Sequence, residues 1–286
     1  MTEAATDNNM MIGHCARWLT ADEADRLNQD STLVSDFKQN KLENEAQKNW
    51  DKFYKRNETR FFKDRHWTIR EFQELCHDID FSEPLTILEA GCGVGNFVFP
   101  FLAQFSRCFA YLCDFSPRAI TLVQTNQAYD ESRCRAFQCD LTQDGDETKP
   151  GALLNSVGQE CVDVCTLIFV LSAVHPSKMH AVLRNIWKVL RPGASVIVRD
   201  YGLYDHAMLR FAKGHKLAEN FYVRQDGTRA FYFSTEALSK LFVACGFEEL
   251  SCRYVQRETV NKKEDLSVAR VFVQARFGKA VHVTHE

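Results

Sequence analysis

From residue 86 onward the sequence alternates short, β-branched apolar runs with segments of helical periodicity. The predicted strands are 86–91, 108–115, 134–141, 162–172 and 194–202, and the predicted helices between them are 96–105, 116–126 and 176–190. Strands that are separated by helices run parallel and are joined by right-handed crossovers. The pattern therefore predicts an α/β fold, in which helices cover both faces of a mostly parallel sheet to form a three-layer sandwich.

The end of the chain departs from this alternation. A predicted helix at 235–246 is followed by two strands, near 248–257 and 268–277, with only the charged loop "TVNKKEDLS" between them. Because such a short connection joins neighbouring strands, we expect these two to pair antiparallel. The predicted sheet thus has seven strands, of which the last is antiparallel.

Segments outside the sheet are predicted to flank or interrupt one domain at 81–278. They are a disordered N-terminus at 1–20, a helical extension at 21–80, an insertion at 201–234 and a tail at 279–286. The extension is mostly polar, with loosely spaced apolar residues, which is typical of helices that pack onto a domain. With 286 residues, 45% of them hydrophobic, the chain can bury a substantial core.

Composition and the N-terminal sequence indicate where such a chain works. The longest apolar runs fall short of the roughly 18–20 residues that a membrane helix needs. The start, "MTEAATDNNMMIGHCARWL", lacks the basic and apolar regions of a signal peptide, and its acids argue against a transit peptide. Eleven cysteines without a C-x-x-C pair favour reduced thiols in the cytosol, and we expect no metal site.

The segment "ILEAGCGVGNF" (87–97) places Gly91, Gly93 and Gly95 between a predicted strand and a predicted helix. Glycines there allow the backbone to approach a ligand closely. Asp114 lies 19 residues beyond Gly95, at the end of the next strand, where an acid accepts hydrogen bonds from ribose hydroxyls. A tight turn without a ligand and a dinucleotide site are the alternatives. The G-x-G-x-G spacing and the following "CDL" favour a different nucleoside cofactor.

Four segments in order, "LEAGCGVGN", "CDFSPRAI", "CDLT" and "LIFVLSAVHP", resemble the motifs of class I S-adenosylmethionine-dependent methyltransferases. The resemblance implies a Rossmann-like methyltransferase sheet that binds S-adenosylmethionine and releases S-adenosylhomocysteine. In that class the glycine turn holds the methionine part, the acid after the second strand holds the ribose, and an Asp-Leu pair meets the adenine. The cofactor-binding residues implied here are Gly91, Gly93, Asp114, Asp140, Leu141 and Ile168.

A closer resemblance runs from roughly residue 20 to 277. The segments 32–67, 199–211, 221–234 and 258–272 are similar to the tRNA 3-methylcytidine methyltransferases of the methyltransferase-like family, and most similar to its serine-tRNA branch. The resemblance implies that 21–80 is a cofactor lid and RNA-binding extension and that 201–234 recognises the substrate. In the lid, Trp50 and Tyr54 of "NWDKFY" would bind the cofactor; the plain alternative is an aromatic stripe that packs a helix onto the core.

The segment "FYVRQDGTRAFYFS" (221–234) is predicted to form a β-hairpin that turns at Asp226-Gly227. Cytosine N3 is hidden in a duplex, so an enzyme must extrude the base and hold it. Stacking on planar side chains contributes roughly 1–3 kcal/mol per base. The hairpin side chains suited to this are Phe221, Tyr222, Arg224, Arg229 and Tyr232. The alternative is that the aromatic residues only cover the sheet.

The segment "RDYGLYDHAMLRF" (199–211) follows the fifth predicted strand, at the sheet edge where α/β proteins bind ligands. A carboxylate can accept a hydrogen bond from the N4 amino group of cytosine, and a nearby carboxylate would stabilise the cationic product. We therefore assign Asp200 or Asp205 to the base, and Arg199 or Arg210 to its carbonyl or a phosphate, with Tyr201 among the tRNA contacts. Either acid can instead cap a turn.

The implied reaction needs no strong general base, because N3 of neutral cytosine carries a lone pair and catalysis reduces to positioning. His175 is predicted to begin a helix, and the role of His206 stays open. The basic run 55–70 is a candidate RNA face, with Arg60, Lys63 and Arg65 as contacts. A solvated helix face is the alternative.

The resemblance implies methylation of cytidine 32 in the anticodon loop of serine tRNAs. It also implies seryl-tRNA synthetase as a partner, since a chain with a net charge of −3 has modest phosphate affinity of its own. We expect a cytoplasmic and nuclear protein that is monomeric apart from this complex. A methyltransferase for proteins or small molecules, and a non-catalytic cofactor-binding adaptor, are the rival functions.

Overall fold

The structure is a computed structural model that describes residues 11–13, 15–58, 66–143, 152–261 and 266–281. The strands within these ranges are β1 (Met11–Gly13), β2 (Thr86–Ala90), β3 (Phe109–Asp114), β4 (Cys134–Gln138), β5 (Val162–Ile168), β6 (Leu190–Tyr201), β7 (Lys216–Ala218), β8 (Phe221–Val223), β9 (Arg229–Phe231), β10 (Phe247–Asn261) and β11 (Leu266–Lys279). The helices are α1 (Ala21–Gln29), α2 (Asp36–Asn44), α3 (Ala46–Asn57), α4 (His66–Leu75), α5 (Val98–Gln104), α6 (Pro117–Gln124), α7 (Leu153–Val157), α8 (Met179–Val189), α9 (His206–Leu209) and α10 (Thr235–Val243). Two 3₁₀ turns, Leu171–Ala173 and Pro176–Lys178, lie between β5 and α8.

The main sheet has the strand order β1-β10-β11-β6-β5-β2-β3-β4. The strands from β2 to β6 run parallel to one another, and β11 lies antiparallel between β6 and β10. This confirms the predicted seven-stranded methyltransferase sheet with an antiparallel last strand. Both closing strands are longer than predicted and take up most of the expected loop.

An eighth strand at the sheet edge was not expected, because residues 1–20 were predicted to be disordered. Within them, β1 pairs antiparallel with β10, so that Ile12 lies opposite Val255. Ala16 is buried, and Thr20 caps α1 through reciprocal hydrogen bonds with Glu23. The short strand covers part of the open edge of β10.

Helices cover the sheet on both faces, which confirms the three-layer architecture. Successive strand residues point to opposite faces, so Leu88 packs with α8 and α10, and Ile87 packs with α4, α5 and α6. The central strands are nearly continuous apolar runs because neither face meets solvent. The stacked rings of Phe242 and Phe277, 3.9 Å apart, show this packing between α10 and β11.

A second sheet, with the order β7-β8-β9, contains the predicted hairpin. Its turn has Gly227 at φ +82°, and Asp226 accepts a hydrogen bond from the Thr228 amide. The predicted stacking of a base on the rings of Phe221, Tyr222 and Tyr232 is wrong, since all three rings are buried. Each face of this small sheet needs an apolar cover, and its own aromatic side chains provide it. Phe221 and Val223 pack with Val34 on one face, and Tyr222 and Tyr232 pack with Met208 on the other.

Within the residues that the structure describes, the extension folds as helices α1 to α4. Of these, α3 packs against α6, and its buried residues are Asn49, Phe53 and Tyr54. Among the described residues, no helix has the length and apolar character needed to cross a membrane.

Candidate cofactor and substrate site

A cavity of about 340 Å³, the edge cavity, opens at the carboxyl ends of β2, β3, β4 and β5. It brings together seven of the predicted site residues, namely Trp50, Tyr54, Gly91, Asp114, Asp140, Leu141 and Arg229. Open α/β sheets bind ligands at this edge because the strand ends leave a crevice there. The cavity is the candidate site for a nucleoside cofactor.

The glycine turn contributes Gly91 to the lining of the edge cavity. Gly91, Gly93 and Gly95 have φ values of +73°, +56° and +85°, which side chains rarely allow. Packing also requires glycine at position 91, because a Cβ atom on Gly91 would lie 2.4 Å from Cγ2 of Val170. A Cβ atom on Gly93 would lie 3.1 Å from the Tyr54 hydroxyl. The turn is therefore closely covered by the lid helix α3 and by the segment after β5.

Asp114 ends β3 and faces the cavity with a carboxylate that backbone groups hold in place. One oxygen accepts a hydrogen bond from the Gly93 amide at 2.9 Å, and the other accepts one from the Ser116 amide at 2.9 Å. Burial raises the pKa of Asp114 to about 6, although these backbone bonds oppose the rise. At pH 7 the group is mainly ionised and can accept further hydrogen bonds.

Asp140 and Leu141 follow β4 and form another wall. The Asp140 carboxylate accepts hydrogen bonds from the amide and the hydroxyl of Thr142, at 2.9 Å and 2.8 Å, so the loop turns tightly around it. From α8, the buried Asn185 amide donates to the carbonyl of Leu141 at 3.0 Å. Asn185 was not anticipated, because nothing near it in sequence marks it as a support for this loop.

One predicted cofactor-binding residue, Ile168 at the end of β5, does not line the edge cavity. Ile168 packs against the core beside α5 and α6, and it is Phe169 and Val170 that line the edge cavity. Phe169 has φ +59°, and its amide donates to the carbonyl of Arg199 at 2.7 Å. A non-glycine residue in this conformation is strained, and such strain clusters at functional sites. No sequence pattern predicts it.

The lid helix α3 closes the cavity beside the glycine turn. Its Trp50 and Tyr54 rings lie 6.1 Å apart and both line the cavity. The Gln47 side chain donates to the carbonyl of Phe115 at 3.0 Å, and Asp51 accepts a hydrogen bond from the Ser116 hydroxyl. The lid is thus tied to the loop that carries Asp114.

Charged groups surround the remaining opening of the edge cavity. Glu43 on α2 forms ion pairs with Lys178, at 2.5 Å, and with the buried Arg229 of β9. Burial raises the pKa of Glu43, but the two cations outweigh it and lower the pKa overall. His175 also lines the cavity and begins a 3₁₀ turn as predicted, with its ring accepting from the Ser177 amide. Glu43 and Lys178 carry no sequence motif and were not anticipated.

Asp205, predicted to contact the base, is a structural cap. It is fully buried, accepts from the Ala207 amide to begin α9, and accepts from Arg270 and the Val271 amide, both at 2.8 Å. These partners leave it facing the protein interior, so the alternative reading of a turn cap is correct for this residue.

Asp200 and Arg199 also lie away from the cavity. Asp200 is fully buried and accepts from the amides of Ser172, at 3.0 Å, and Tyr201, at 2.8 Å, and burial raises its pKa to about 6. It thereby holds the 3₁₀ turn whose Ala173 lines the cavity. Arg199 is buried in an ion pair with Glu71 at 2.5 Å. Neither Asp200 nor Arg199 is among the residues that line the edge cavity.

The remaining predicted RNA contacts fall into three groups by their position in the structure. Arg60, Lys63 and Arg65 lie outside the described residues. Tyr201 is half-buried, with the Arg224 guanidinium 5.4 Å from the centre of its ring. Arg210 and Arg224 line a second cavity beyond the hairpin, apart from the edge cavity.

The glycine turn, the ribose-side acid, the Asp-Leu pair and the aromatic lid fit an adenosine nucleoside with an amino-acid substituent. Fold and site together define a class I S-adenosylmethionine-dependent methyltransferase. A crystal structure of an S-adenosylmethionine-dependent methyltransferase from Anabaena variabilis shares the fold, with a TM-score of 0.59 at 12% identity, over 81% of this chain and 94% of that one. A family model described as a methyltransferase domain matches residues 88–196.

Curated relatives define the family within this class. The Homo sapiens protein named tRNA N(3)-cytidine methyltransferase METTL6 is 62% identical over 266 residues, which cover 92% of this chain and 91% of that protein. The Danio rerio protein named tRNA N(3)-cytidine methyltransferase METTL2 is 38% identical over 91% of this chain and 81% of its own length. The chain belongs to the family of tRNA N(3)-cytidine methyltransferases.

Proposed function

We infer that this protein transfers the methyl group of S-adenosylmethionine to N3 of cytidine in tRNA, and we propose position 32 of serine tRNAs as its target. The edge cavity carries this conclusion, because it gathers the glycine turn, Asp114 and Asp140 in a chain that is 62% identical to a tRNA N(3)-cytidine methyltransferase. The serine-tRNA preference rests on the resemblance of residues 20–277 to that branch of the family.

Different residues of the edge cavity would bind different parts of the cofactor. We propose that Asp114 accepts hydrogen bonds from the two ribose hydroxyls, that the turn at Gly91 and Gly93 cradles the methionine part, and that Asp140 and Leu141 meet the adenine. S-adenosylmethionine supplies a methyl group that its positively charged sulfur activates. Trp50 and Tyr54 would cover the cofactor and exclude water from it.

The acceptor base needs orientation more than proton transfer, because the ring nitrogen already carries its lone pair. Arg229 lines the edge cavity, and its guanidinium donors match the carbonyl oxygen of cytosine. Glu43 holds this guanidinium through an ion pair. We therefore assign base contact to Arg229 and a positioning role to Glu43, in place of Asp200 and Asp205.

The tRNA must be held by more than this cavity. We propose that the extension 21–80 and the insertion 201–234 form the RNA-binding surface, and that seryl-tRNA synthetase supplies further affinity. The net charge of −3 supports a partner, since phosphate contacts dominate affinity for nucleic acids. We place the protein in the cytoplasm and nucleus, as a monomer that joins this complex.

Methylation of defined transcripts tests the proposal. The purified protein, with seryl-tRNA synthetase and S-adenosylmethionine, should form 3-methylcytidine at position 32 of a serine tRNA, detected by nuclease digestion and mass spectrometry. A transcript with uridine at that position and the Asp114→Asn variant should both give none. Methylation of proteins in a total extract, without any 3-methylcytidine in tRNA, would contradict the proposed function.

A further inference from the structure

A second cavity of about 770 Å³, the hairpin cavity, shares no described lining residue with the edge cavity. Its wall comes from the end of α3, the segment after α9 and the hairpin, with Arg56, Arg210, Phe211, Arg224, Asp226 and Tyr232 among its lining residues. Three arginines face one acid, so the described part of the wall is net positive. Such a wall favours an anionic ligand.

The hairpin itself separates the two cavities. Arg229 on β9 pairs with Val223 on β8, so both side chains lie on the same face of the small sheet. Because Arg229 lines the edge cavity, this face is the one toward that cavity. Tyr232, three residues further on, belongs to the opposite face. Helix α3 spans both cavities, because its Tyr54 lines the first and its Arg56 lines the second. The hairpin and α3 thus each contribute residues to both cavities.

The hydroxyl of Tyr232 is a buried polar group beside the hairpin cavity. The residue is 0% exposed and lines the hairpin cavity. Among the residues that the structure describes, none forms a hydrogen bond with this hydroxyl. A buried polar group without a partner costs stability, and native structures rarely tolerate one without a functional reason.

Planar side chains surround the same space. Phe211 stacks on Tyr222, with ring centres 4.7 Å apart and an interplanar angle of 6°. Two bonds from Nη1 of Arg224 fix its guanidinium, one to the Arg229 carbonyl at 2.9 Å and one to the Thr228 hydroxyl at 3.4 Å. Arginines beside aromatic rings form the usual surroundings of an unpaired nucleotide.

We propose that the hairpin cavity binds a nucleotide adjacent to the target cytidine, with its phosphate on the arginines and its base hydrogen-bonded to the Tyr232 hydroxyl. This rests on the proposed function, since a base extruded into the edge cavity draws its neighbour toward the other side of the hairpin. The hairpin cavity would then hold the RNA on one side of the hairpin while the target base enters the edge cavity on the other side.

A pair of tyrosine variants tests the hydroxyl. In the full-length protein, Tyr232→Phe should weaken binding of a serine tRNA about 3- to 10-fold, as expected for one lost hydrogen bond, and leave the melting temperature unchanged or higher. Tyr254→Phe is the matched control, because its hydroxyl accepts from the Thr235 amide at 3.3 Å. It should lower the melting temperature and leave tRNA affinity unchanged. A lower melting temperature or unaltered affinity for Tyr232→Phe would overturn the proposal.

Abasic substitutions identify the nucleotide. Serine tRNAs assembled by ligation, with one base removed before, at or after the target, are titrated against wild type and Tyr232→Phe. Removal of one neighbouring base should abolish the difference between the two proteins, and removal of the target base should not. Coupling to the target base, or to none, overturns the assignment. Failure of the proposed function would be recognised by a different result, namely that the wild-type protein forms no 3-methylcytidine.

Salt dependence tests the phosphate contact. Arg210→Gln should lower the slope of log affinity against log salt by about one unit. Arg107→Gln is the control, because Arg107 is exposed in a surface pair with Glu83 and lies in a different part of the structure. An equal slope for wild type and Arg210→Gln would exclude this arginine from phosphate binding and contradict the proposal.

Discussion

At the scale of single residues, Asp114 is buried, and its proposed role as the ribose ligand calls for the charged form. Burial raises the pKa of Asp114 to about 6 from a usual value of 3.8. Because the folded protein binds this proton more tightly than the unfolded chain, stability falls as the pH rises from about 4 to 6. The cost at neutral pH is on the order of 3 kcal/mol. A ligand that donates hydrogen bonds to the carboxylate would offset part of this cost.

Cofactor binding should therefore depend on the ionisation of Asp114. We expect affinity for S-adenosylhomocysteine to fall as the pH decreases through about 6, by about tenfold between pH 7 and pH 5, because the protonated acid accepts hydrogen bonds poorly. Calorimetric titration at several pH values measures this. The Asp114→Asn variant should bind weakly with a flat profile, and a flat profile in the wild type would rule out Asp114 as the ribose ligand.

At the scale of secondary-structure elements, the lid depends on a few polar contacts with the rest of the molecule. Glu43 joins α2 to β9 through Arg229 and to the segment after β5 through Lys178. Further along, Asn49 donates to the Gly227 carbonyl at 3.3 Å and Arg56 pairs with Asp226 at 3.2 Å. The tip of the hairpin is thus fastened to α3, which makes the lid and the hairpin one unit.

The Glu43→Gln variant should loosen this unit. Arg229 is buried, so loss of its charged partner should cost about 2 kcal/mol in the free energy of unfolding. Hydrogen exchange should become faster in 46–57, and binding of S-adenosylhomocysteine should weaken with it. The control is Glu83→Gln, whose pair with Arg107 is 61% and 55% exposed and is worth about 0.5 kcal/mol or less. Equal exchange in both variants would show that Glu43 does not hold the lid.

At the scale of the whole molecule, the net charge bears on how the protein binds tRNA. The net charge is −3, and the described arginines of the hairpin cavity offer only a local positive surface. Phosphate affinity grows with the number of cations that contact the backbone. A tRNA enzyme of this composition should depend on a second tRNA-binding protein.

Addition of seryl-tRNA synthetase should therefore raise the initial rate of 3-methylcytidine formation on a serine tRNA. The increase should be about tenfold or more, because the complex gains a second RNA-binding interface. A synthetase for a different amino acid, tested at the same concentration, should leave the rate unchanged. Equal rates with and without seryl-tRNA synthetase, at tRNA concentrations below saturation, would remove it as a partner.

The sequence by itself determined the order of strands and helices, the antiparallel closing pair and the turns that line the edge cavity. Those features depend on local patterns: apolar periodicity sets each element, and glycine or an acid at a strand end sets each turn. Gly91, Asp114 and Asp140 were predictable for this reason, since parallel strands bring their carboxyl ends to one edge.

Only the tertiary structure decided which polar and aromatic side chains line a cavity and which are buried. Asp205 faces inward because Arg270 and Val271, 65 and 66 residues away in sequence, complete its hydrogen bonds. The hairpin aromatics are buried because α2 and α9 leave them no solvent, and Glu43 enters the site because α2 folds across it. Burial and pairing are set by residues distant in sequence, so a local pattern does not contain them.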